Sequence, residues 1–131
     1  MAIPILIVDD NALNAKLTKL LLVQNGYAVE TAGDANEALQ LLETFIPRLI
    51  LMDLQLPGTD GFELTRRLRA DAATRDIIIV ALTAYAMKGD ERRALEAGCD
   101  GYIAKPIDTR TLPRRISEYL SAGRTPVNPR V

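Results

Sequence analysis

The sequence predicts an α/β fold, a doubly wound parallel sheet of five strands that alternate with five helices. Three short apolar runs, at residues 5–8, 49–52 and 77–82, fit strands that are buried on both faces. Segments with the helical spacing of apolar residues separate these runs. Strict alternation with short connections favours right-handed crossovers, which carry each helix back over the sheet. A parallel sheet with helices on both faces follows from this pattern.

The first half of the chain indicates two helices and a short strand. The first helix carries an amphipathic stripe, and such a stripe normally faces the core of a globular protein. Its members are Leu13, Leu17, Leu20 and Leu21. Gly26 then closes this helix, residues 27–31 alternate like a short strand, and Asp34 is the expected cap of the second helix.

The second half indicates two further helices and a weak strand before the last helix. Apolar spacing over residues 62–68 predicts the third helix. A polar helix over Asp90 to Ala97 is stopped by Gly98, and residues 101–104 form the weak strand. These elements complete the alternation.

The last helix contains a proline that affects where it can begin. If Asp108 capped this helix, Pro113 would fall past the first turn and remove a backbone hydrogen bond. We therefore expect the helix to begin nearer Thr111 or to kink.

One domain is expected over residues 1–122, followed by a short disordered tail at 123–131.

Composition limits the kinds of function that the chain can have. Its 131 residues, 48% of them hydrophobic, suffice for one domain with a buried core. Sixteen Lys and Arg balance seventeen Asp and Glu, so the net charge of −1 indicates neither nucleic acid nor an anionic membrane as a partner. A partner must then be recognised by a local surface.

The rare residue types narrow the choice further. Cys99 is the single cysteine, which excludes an internal disulfide and suits a reducing compartment. The N-terminus has no basic leader pattern and no apolar stretch approaches the roughly 20 residues of a membrane span, so a cytoplasmic location is expected. Because the chain has no histidine, it lacks a His-phosphate donor, a His-ligated zinc site and a His-based triad of its own.

Polar side chains follow the predicted strands at the edge where an open α/β sheet binds its ligands. They are Asp9, Asp10, Asp53, Thr83 and Lys105. Taken singly, Thr83 would be a strand-end cap and Lys105 a surface charge. Acids, a hydroxyl and a lysine at successive strand ends instead favour a site in which Lys105 neutralises a phosphoryl oxygen.

Three carboxylates at one sheet edge repel each other strongly unless a cation is bound. Mg²⁺, or Mn²⁺ in its place, prefers oxygen ligands and keeps several waters. We expect Asp10, Asp53 and the backbone carbonyl of Gln55 as direct ligands, with Asp9 acting through water. Capping of the first helix by Asp9 or Asp10 is the structural alternative, and it can coexist with metal binding.

The motifs of this chain resemble the response-regulator receiver domain, over roughly residues 3 to 121. They are ILIVDDN at 5–11, LILMDLQLPGTDG at 49–61, ALTA at 81–84 and YIAKP at 102–106. The resemblance implies the flavodoxin-like form of the doubly wound sheet. It also implies a function in two-component signalling or a phosphorelay.

Within that family, Asn11 with Asn14 and residues 86–91 resemble single-domain regulators of the DivK type and the receivers of hybrid histidine kinases. The resemblance implies a phosphoacceptor domain whose only catalysis is its own phosphorylation and slow dephosphorylation. A sensor histidine kinase or a histidine phosphotransfer protein would supply the phosphoryl group.

The resemblance also assigns roles to the strand-end residues. Asp53 would accept the phosphoryl group, with Mg²⁺ and Lys105 spreading the charge on its oxygens. Thr83 would then move to bond the phosphoryl group, and Tyr102 would swing inward. The family has a cis peptide bond at the position of Lys105 and Pro106.

Several neighbouring residues are expected to modulate the switch. Gln55 and Tyr85 occupy the positions that influence access of the hydrolytic water in this family. The bulky Tyr85 is expected to shield the acyl phosphate and to lengthen the signal. Ala84 and Pro106 complete the modulating set.

The family transmits its signal through one face of the domain. Here that face comprises residues 84–97, Tyr102 and residues 107–120, and it would dock a downstream protein without a DNA-binding output domain. A monomer or a weak dimer is expected.

Three alternative functions share features with this sequence. A phosphatase of the haloacid dehalogenase type needs a second Asp two residues after the acceptor, where this chain has Gln55. A flavin or nucleotide module would want a glycine- or hydroxyl-rich loop in place of Asp9, Asp10 and Asn11, which repel phosphate. The third alternative is a receiver that belongs to a hybrid kinase or a larger regulator.

Overall fold

The computed structural model describes residues 2–56, 60–83 and 88–123, with side chains from residue 92 onward in the last range. The strands are β1 (Pro4–Val8), β2 (Ala28–Ala32), β3 (Leu49–Asp53), β4 (Ile78–Thr83) and β5 (Gly101–Ala104). The helices are α1 (Ala12–Gln24), α2 (Ala35–Leu41), α3 (Gly61–Ala70), α4 (Lys88–Ala97) and α5 (Leu112–Ala122).

The five strands form one parallel sheet in the order β2-β1-β3-β4-β5, which confirms the predicted fold class. The register aligns Val8 with Met52, Met52 with Ala81, and Ala81 with Tyr102. The residues that directly follow these aligned positions therefore meet at the carboxyl edge of the sheet. Strand order reverses between β1 and β3, and ligands of open α/β sheets bind at such a switch point.

The core has two layers because the central strands are buried on both faces. Every residue of β3 and β4 is buried. One core cluster contains side chains of α2, α3 and α4, and the other contains side chains of α1 and α5. The helices thus cover the two faces of the sheet as the alternation predicts.

Three of the four leucines in the predicted stripe of α1 do not face the core, so the prediction is wrong for them. Leu21 is partly buried and packs against the core cluster on the α1 and α5 side. Leu13, Leu17 and Leu20 are 65%, 55% and 50% exposed. The face that packs on the sheet instead carries Ala15, Thr18 and Leu22. The small residues on this face allow the helix to approach the sheet closely. Because α1 carries apolar residues on both of its faces, the 3.6-residue period of the sequence does not identify which face is buried.

The predicted cap of α2 and the predicted start of α5 agree with the structure, whereas α4 begins at Lys88, two residues before the predicted Asp90. Asp34 caps α2 by accepting a hydrogen bond from Glu37 N at 2.8 Å. Helix α5 begins at Leu112 after Thr111, which places Pro113 in its first turn, where no intrahelical N–H bond is required. Of the predicted tail at 123–131, only Gly123 lies within the described residues.

The cap of α1 is neither of the two acids considered from the sequence. Asn11 is the N-cap, and its side-chain oxygen accepts a hydrogen bond from Asn14 N at 3.0 Å. Asp9 and Asp10 are therefore left for other contacts.

Across the described part of the chain, no helix has both the length and the apolar content that a bilayer crossing requires.

The two faces of α1 can be compared by matched truncation. Leu22→Ala should lower the free energy of unfolding by about 2–5 kcal/mol, because it opens a cavity at a fully buried position. Leu17→Ala should change it by less than about 0.5 kcal/mol, since that side chain is largely exposed. Urea unfolding followed by circular dichroism measures both values. Equal losses in the two variants would contradict the helix orientation.

Candidate functional site

The polar residues singled out from the sequence lie at the carboxyl ends of four strands. Asp9 follows β1, Asp53 ends β3, Thr83 ends β4 and Lys105 follows β5. Asp9, Asp53 and Thr83 are only 3%, 2% and 3% exposed, although each is polar. The continuous apolar strands before them carry these groups into a position that water barely reaches.

An acidic cluster occupies the centre of this edge. Asp9, Asp10 and Asp53 each offer a carboxylate oxygen, and these atoms lie within 4.8 Å of one another. Asp10 is the exposed member, while Asp9 and Asp53 are buried. Hard oxygen ligands at this spacing are those that Mg²⁺ prefers, so the donor set fits a divalent cation.

Lys105 is the cationic group of the site. Its Nζ atom lies 2.9 Å from Asp53 Oδ2 and 3.9 Å from Asp9 Oδ2. The peptide bond between Lys105 and Pro106 is cis. Lys105 N donates to the carbonyl of Thr83 at 2.8 Å, which joins the ends of β4 and β5.

Backbone groups fix the orientation of the two buried carboxylates. Asp53 Oδ1 accepts a hydrogen bond from Gln55 N, and Asp9 Oδ1 accepts one from Asn11 N, both at 2.9 Å. In each case one oxygen is held by the turn that follows the strand. The other oxygen of each carboxylate is the one that approaches the Lys105 ammonium.

The site has more negative than positive charge, and this affects Asp9. Burial raises the pKa of the Asp9 carboxyl above its ordinary value, and the charge of Asp53 acts in the same direction. The Asn11 N–H and the Lys105 ammonium oppose this increase without cancelling it. A divalent cation would relieve the excess charge.

A glycine packs closely against the end of β3, a role that was not predicted from the sequence. Gly61 N donates to the carbonyl of Leu54 at 3.1 Å. A Cβ atom at Gly61 would lie 2.5 Å from the Asp53 carbonyl oxygen and 2.7 Å from Leu54 Cα. The glycine directly before a helical stripe is the signal that could have indicated this close approach.

The predicted switch residues are only partly described. Tyr102 is partly buried and packs against the core cluster on the α3 and α4 side. Its carbonyl oxygen accepts a hydrogen bond from Arg115 Nη2 at 3.1 Å. Pro106 is exposed. Ala84 and Tyr85 lie outside the described residues, so their predicted roles stay predictions.

A cleft of about 190 Å³ opens beside the acidic cluster, between α1 and the loop after β5. Asp9 and Lys105 lie at its polar side, and Leu17, Leu21 and Ile107 are among its apolar lining residues. The amphipathic stripe of α1 did not predict this cleft, because it placed Leu17 in the core.

Comparisons with known proteins agree with this arrangement. The family model described as the response regulator receiver domain matches residues 5–117. The polar-differentiation response regulator DivK of Brucella ovis is 44% identical over 116 residues, which cover 88% of this chain and 94% of that protein.

Solved structures of response regulators and receiver domains are also similar to this chain. A putative response regulator from Chloroflexus aurantiacus has a TM-score of 0.87 and 34% identity, covering 92% of this chain and 99% of that one. The receiver domain of a sensor histidine kinase from Pseudomonas aeruginosa has a TM-score of 0.83 and 36% identity, covering 92% of this chain and 99% of that one. That structure has a magnesium ion coordinated in its active site cleft.

The excess negative charge gives a stability prediction. Without divalent cations, Asp9→Asn should raise the melting temperature at neutral pH by roughly 2–5 °C, because it removes a buried charge among like charges. Since the folded state raises the pKa of Asp9, wild-type stability falls as the pH rises through the unfolded and then the folded pKa. The advantage of the variant should therefore shrink below about pH 4.

Thermal unfolding in EDTA at several pH values measures this effect. Asp71→Asn is the matched control, because Asp71 is exposed and its carboxylate accepts a hydrogen bond from Ala73 N in the same local geometry. That variant should show no gain. A lower melting temperature for Asp9→Asn at neutral pH would overturn the account of the site charge.

Proposed function

The chain belongs to the response regulator receiver family of two-component signalling, and we propose that Asp53 is its phosphoacceptor. The observation that carries the proposal is the 2.9 Å contact between the Lys105 ammonium and the buried Asp53 Oδ2, within a cluster of three carboxylates. This contact gives one strand-end carboxylate a cation at the place where a phosphoryl group would add charge. Receivers of this family are signalling domains.

The transfer step uses the carboxylate of Asp53 as the nucleophile. An oxygen of Asp53 forms the new bond to phosphorus while the bond between phosphorus and the histidine nitrogen of the donor breaks. The imidazole leaves with that electron pair. A carboxylate has no proton to remove, so the step needs no general base.

The other residues of the site position and neutralise the reacting groups. The Gln55 N–H holds one oxygen of Asp53, which orients the carboxylate. Lys105 pairs with Asp53 before transfer and with phosphoryl oxygens afterwards. We propose Asp10, Asp53 and the Gln55 carbonyl as ligands of Mg²⁺ or Mn²⁺, with Asp9 acting through water. When bound, the ion supplies positive charge for the phosphoryl oxygens.

The signal leaves the site through Thr83 and Tyr102. The Thr83 hydroxyl bonds the new phosphoryl group, and Tyr102 moves inward behind it. Arg115 bonds the Tyr102 carbonyl, so α5 is tied directly to β5. The face of α4, β5 and α5 is the proposed docking surface for a downstream protein.

The acceptor can be tested by chemical phosphorylation. Incubation with Mg²⁺ and acetyl phosphate should add one phosphoryl group, seen by intact mass, that is stable in acid and labile in base. Asp53→Asn should lose this adduct completely because it removes the nucleophile. Asp34→Asn should keep it, since Asn caps α2 as well as Asp does. No adduct on the wild type, or an adduct on Asp53→Asn, would refute the assignment.

Receiver domains interact with histidine kinases and histidine phosphotransfer proteins, and we propose that such a donor docks on α1. Among the residues that the structure describes, six large apolar side chains are exposed, and four of them lie on this helix. They are Leu13, Leu17, Leu20 and Val23. Leu17 also lines the cleft next to Lys105, so the apolar surface reaches the acceptor. The cytoplasm is the proposed location of this encounter.

Docking can be separated from chemistry by changing the donor. The double variant Leu13→Ala and Leu17→Ala should slow transfer from a phosphorylated histidine phosphotransfer protein by about tenfold or more. It should leave labelling by acetyl phosphate unchanged, because that donor needs no protein contact. Ile46→Ala is the control, since Ile46 is 56% exposed but lies before β3. Equal slowing with both donors would argue against docking on α1.

A further inference from the structure

A largely buried arginine joins three segments at the sheet edge opposite to the acidic cluster. The Arg69 side chain, 13% exposed, lies near the end of α3. Its Nε donates to the Gly98 carbonyl at 2.9 Å, and its Nη1 donates to the carbonyls of Arg75 and Ile77 at 2.8 and 2.6 Å. Its Nη2 donates to Asp100 Oδ2 at 2.8 Å. One guanidinium thus connects α3, the start of β4 and the turn between α4 and β5.

Asp100 completes this arrangement, and we call the pair the Arg69–Asp100 clamp. The Asp100 side chain is 1% exposed, and its Oδ2 also accepts a hydrogen bond from Ile79 N at 2.9 Å. Gly98 has a φ of +117°, and a Cβ there would lie 2.8 Å from Arg69 Cγ. The planar fork of an arginine is needed to reach several acceptors at once, and a glycine is needed to let it approach.

The clamp lies at one end of α4, and the phosphorylation site lies near the other. Helix α4 ends at Ala97, next to Gly98, and Cys99 N donates to the Ala94 carbonyl at 2.9 Å. Its first residue, Lys88, comes five positions after Thr83 at the end of β4. The helix therefore spans from the site edge of the sheet to the clamped edge.

We propose that Arg69 is a positioning residue that fixes the C-terminal end of α4, so that phosphorylation tilts this helix instead of sliding it. The inference rests on the proposed function, because movement of Thr83 is the input. A helix of ten residues is about 15 Å long, so a tilt of about 10° around a fixed end moves the other end by about 2.6 Å. The clamped end hardly moves, and the start of β5 keeps its place.

Hydrogen exchange measured by mass spectrometry tests the proposal on the full chain, with and without Mg²⁺ and excess acetyl phosphate. In the wild type, phosphorylation should change exchange within residues 94–100 by less than about twofold. In Arg69→Gln it should change exchange there by about tenfold, because the end of α4 is released. Arg66→Gln is the matched control, since Arg66 is on the same helix, is 57% exposed and pairs only loosely with Glu63 at 3.6 Å.

The readout is the difference in hydrogen exchange between the phosphorylated and the unphosphorylated protein. If Arg69 only stabilised the fold, its substitution would leave this difference unchanged. Faster exchange of Arg69→Gln that is equal in both states would overturn the proposal, as would a large wild-type response within residues 94–100. If Arg69→Gln does not fold, Arg69→Lys takes its place, because it keeps the charge and loses the fork. Intact mass of the same samples separates the two claims. A missing Asp53 adduct overturns the proposed function, whereas an adduct with identical responses in all variants overturns the clamp alone.

Discussion

Repulsion among the carboxylates of Asp9, Asp10 and Asp53 is the constraint that organises this molecule. Their oxygens lie within 4.8 Å of one another, and two of the three residues are buried. The sheet imposes this proximity, because the strands that carry Asp9 and Asp53 are hydrogen-bonded neighbours. Each nearby feature then offsets part of the cost: a backbone N–H holds one oxygen of each buried acid, and Lys105 approaches the other. The remaining negative charge is what makes the edge receptive to a cation.

Much of this arrangement could be predicted from the sequence, because the strands are buried on both faces. Continuous aliphatic runs identify such strands, alternation with helices sets their parallel direction, and parallel strands carry the residues after them to one edge. Local capping was predictable in part, as Asp34 and the late start of α5 after Thr111 illustrate, although the cap of α1 is Asn11 and not one of the two acids. These features depend on residues close together in the chain. They are therefore visible in a single sequence.

Features that depend on three-dimensional packing could not be found in this way. Helix α1 has apolar residues on two faces, and only contact with the sheet decides that Ala15 and Leu22 are buried while Leu17 is not. Arg69 and Asp100 are 31 positions apart, and an arginine near the end of an amphipathic helix normally indicates its solvated face. The exposed leucines of α1 are not needed for the core, which is why we propose this helix as the docking surface for a partner.

The two ionic groups of the fold differ in balance, and this difference determines where the molecule can respond. At the clamp, one guanidinium meets one buried carboxylate, and backbone groups of β4 and of the turn before β5 complete the bonding. Because the charges of Arg69 and Asp100 are matched, charge added at the opposite edge of the sheet should not rearrange this pair. At the opposite edge, the Lys105 ammonium faces an excess of carboxylates. In the proposed mechanism, an added phosphoryl group would change which partners this ammonium prefers. We therefore propose that the unbalanced edge moves on phosphorylation, and that the balanced edge is the fixed point that turns this movement into a change of shape.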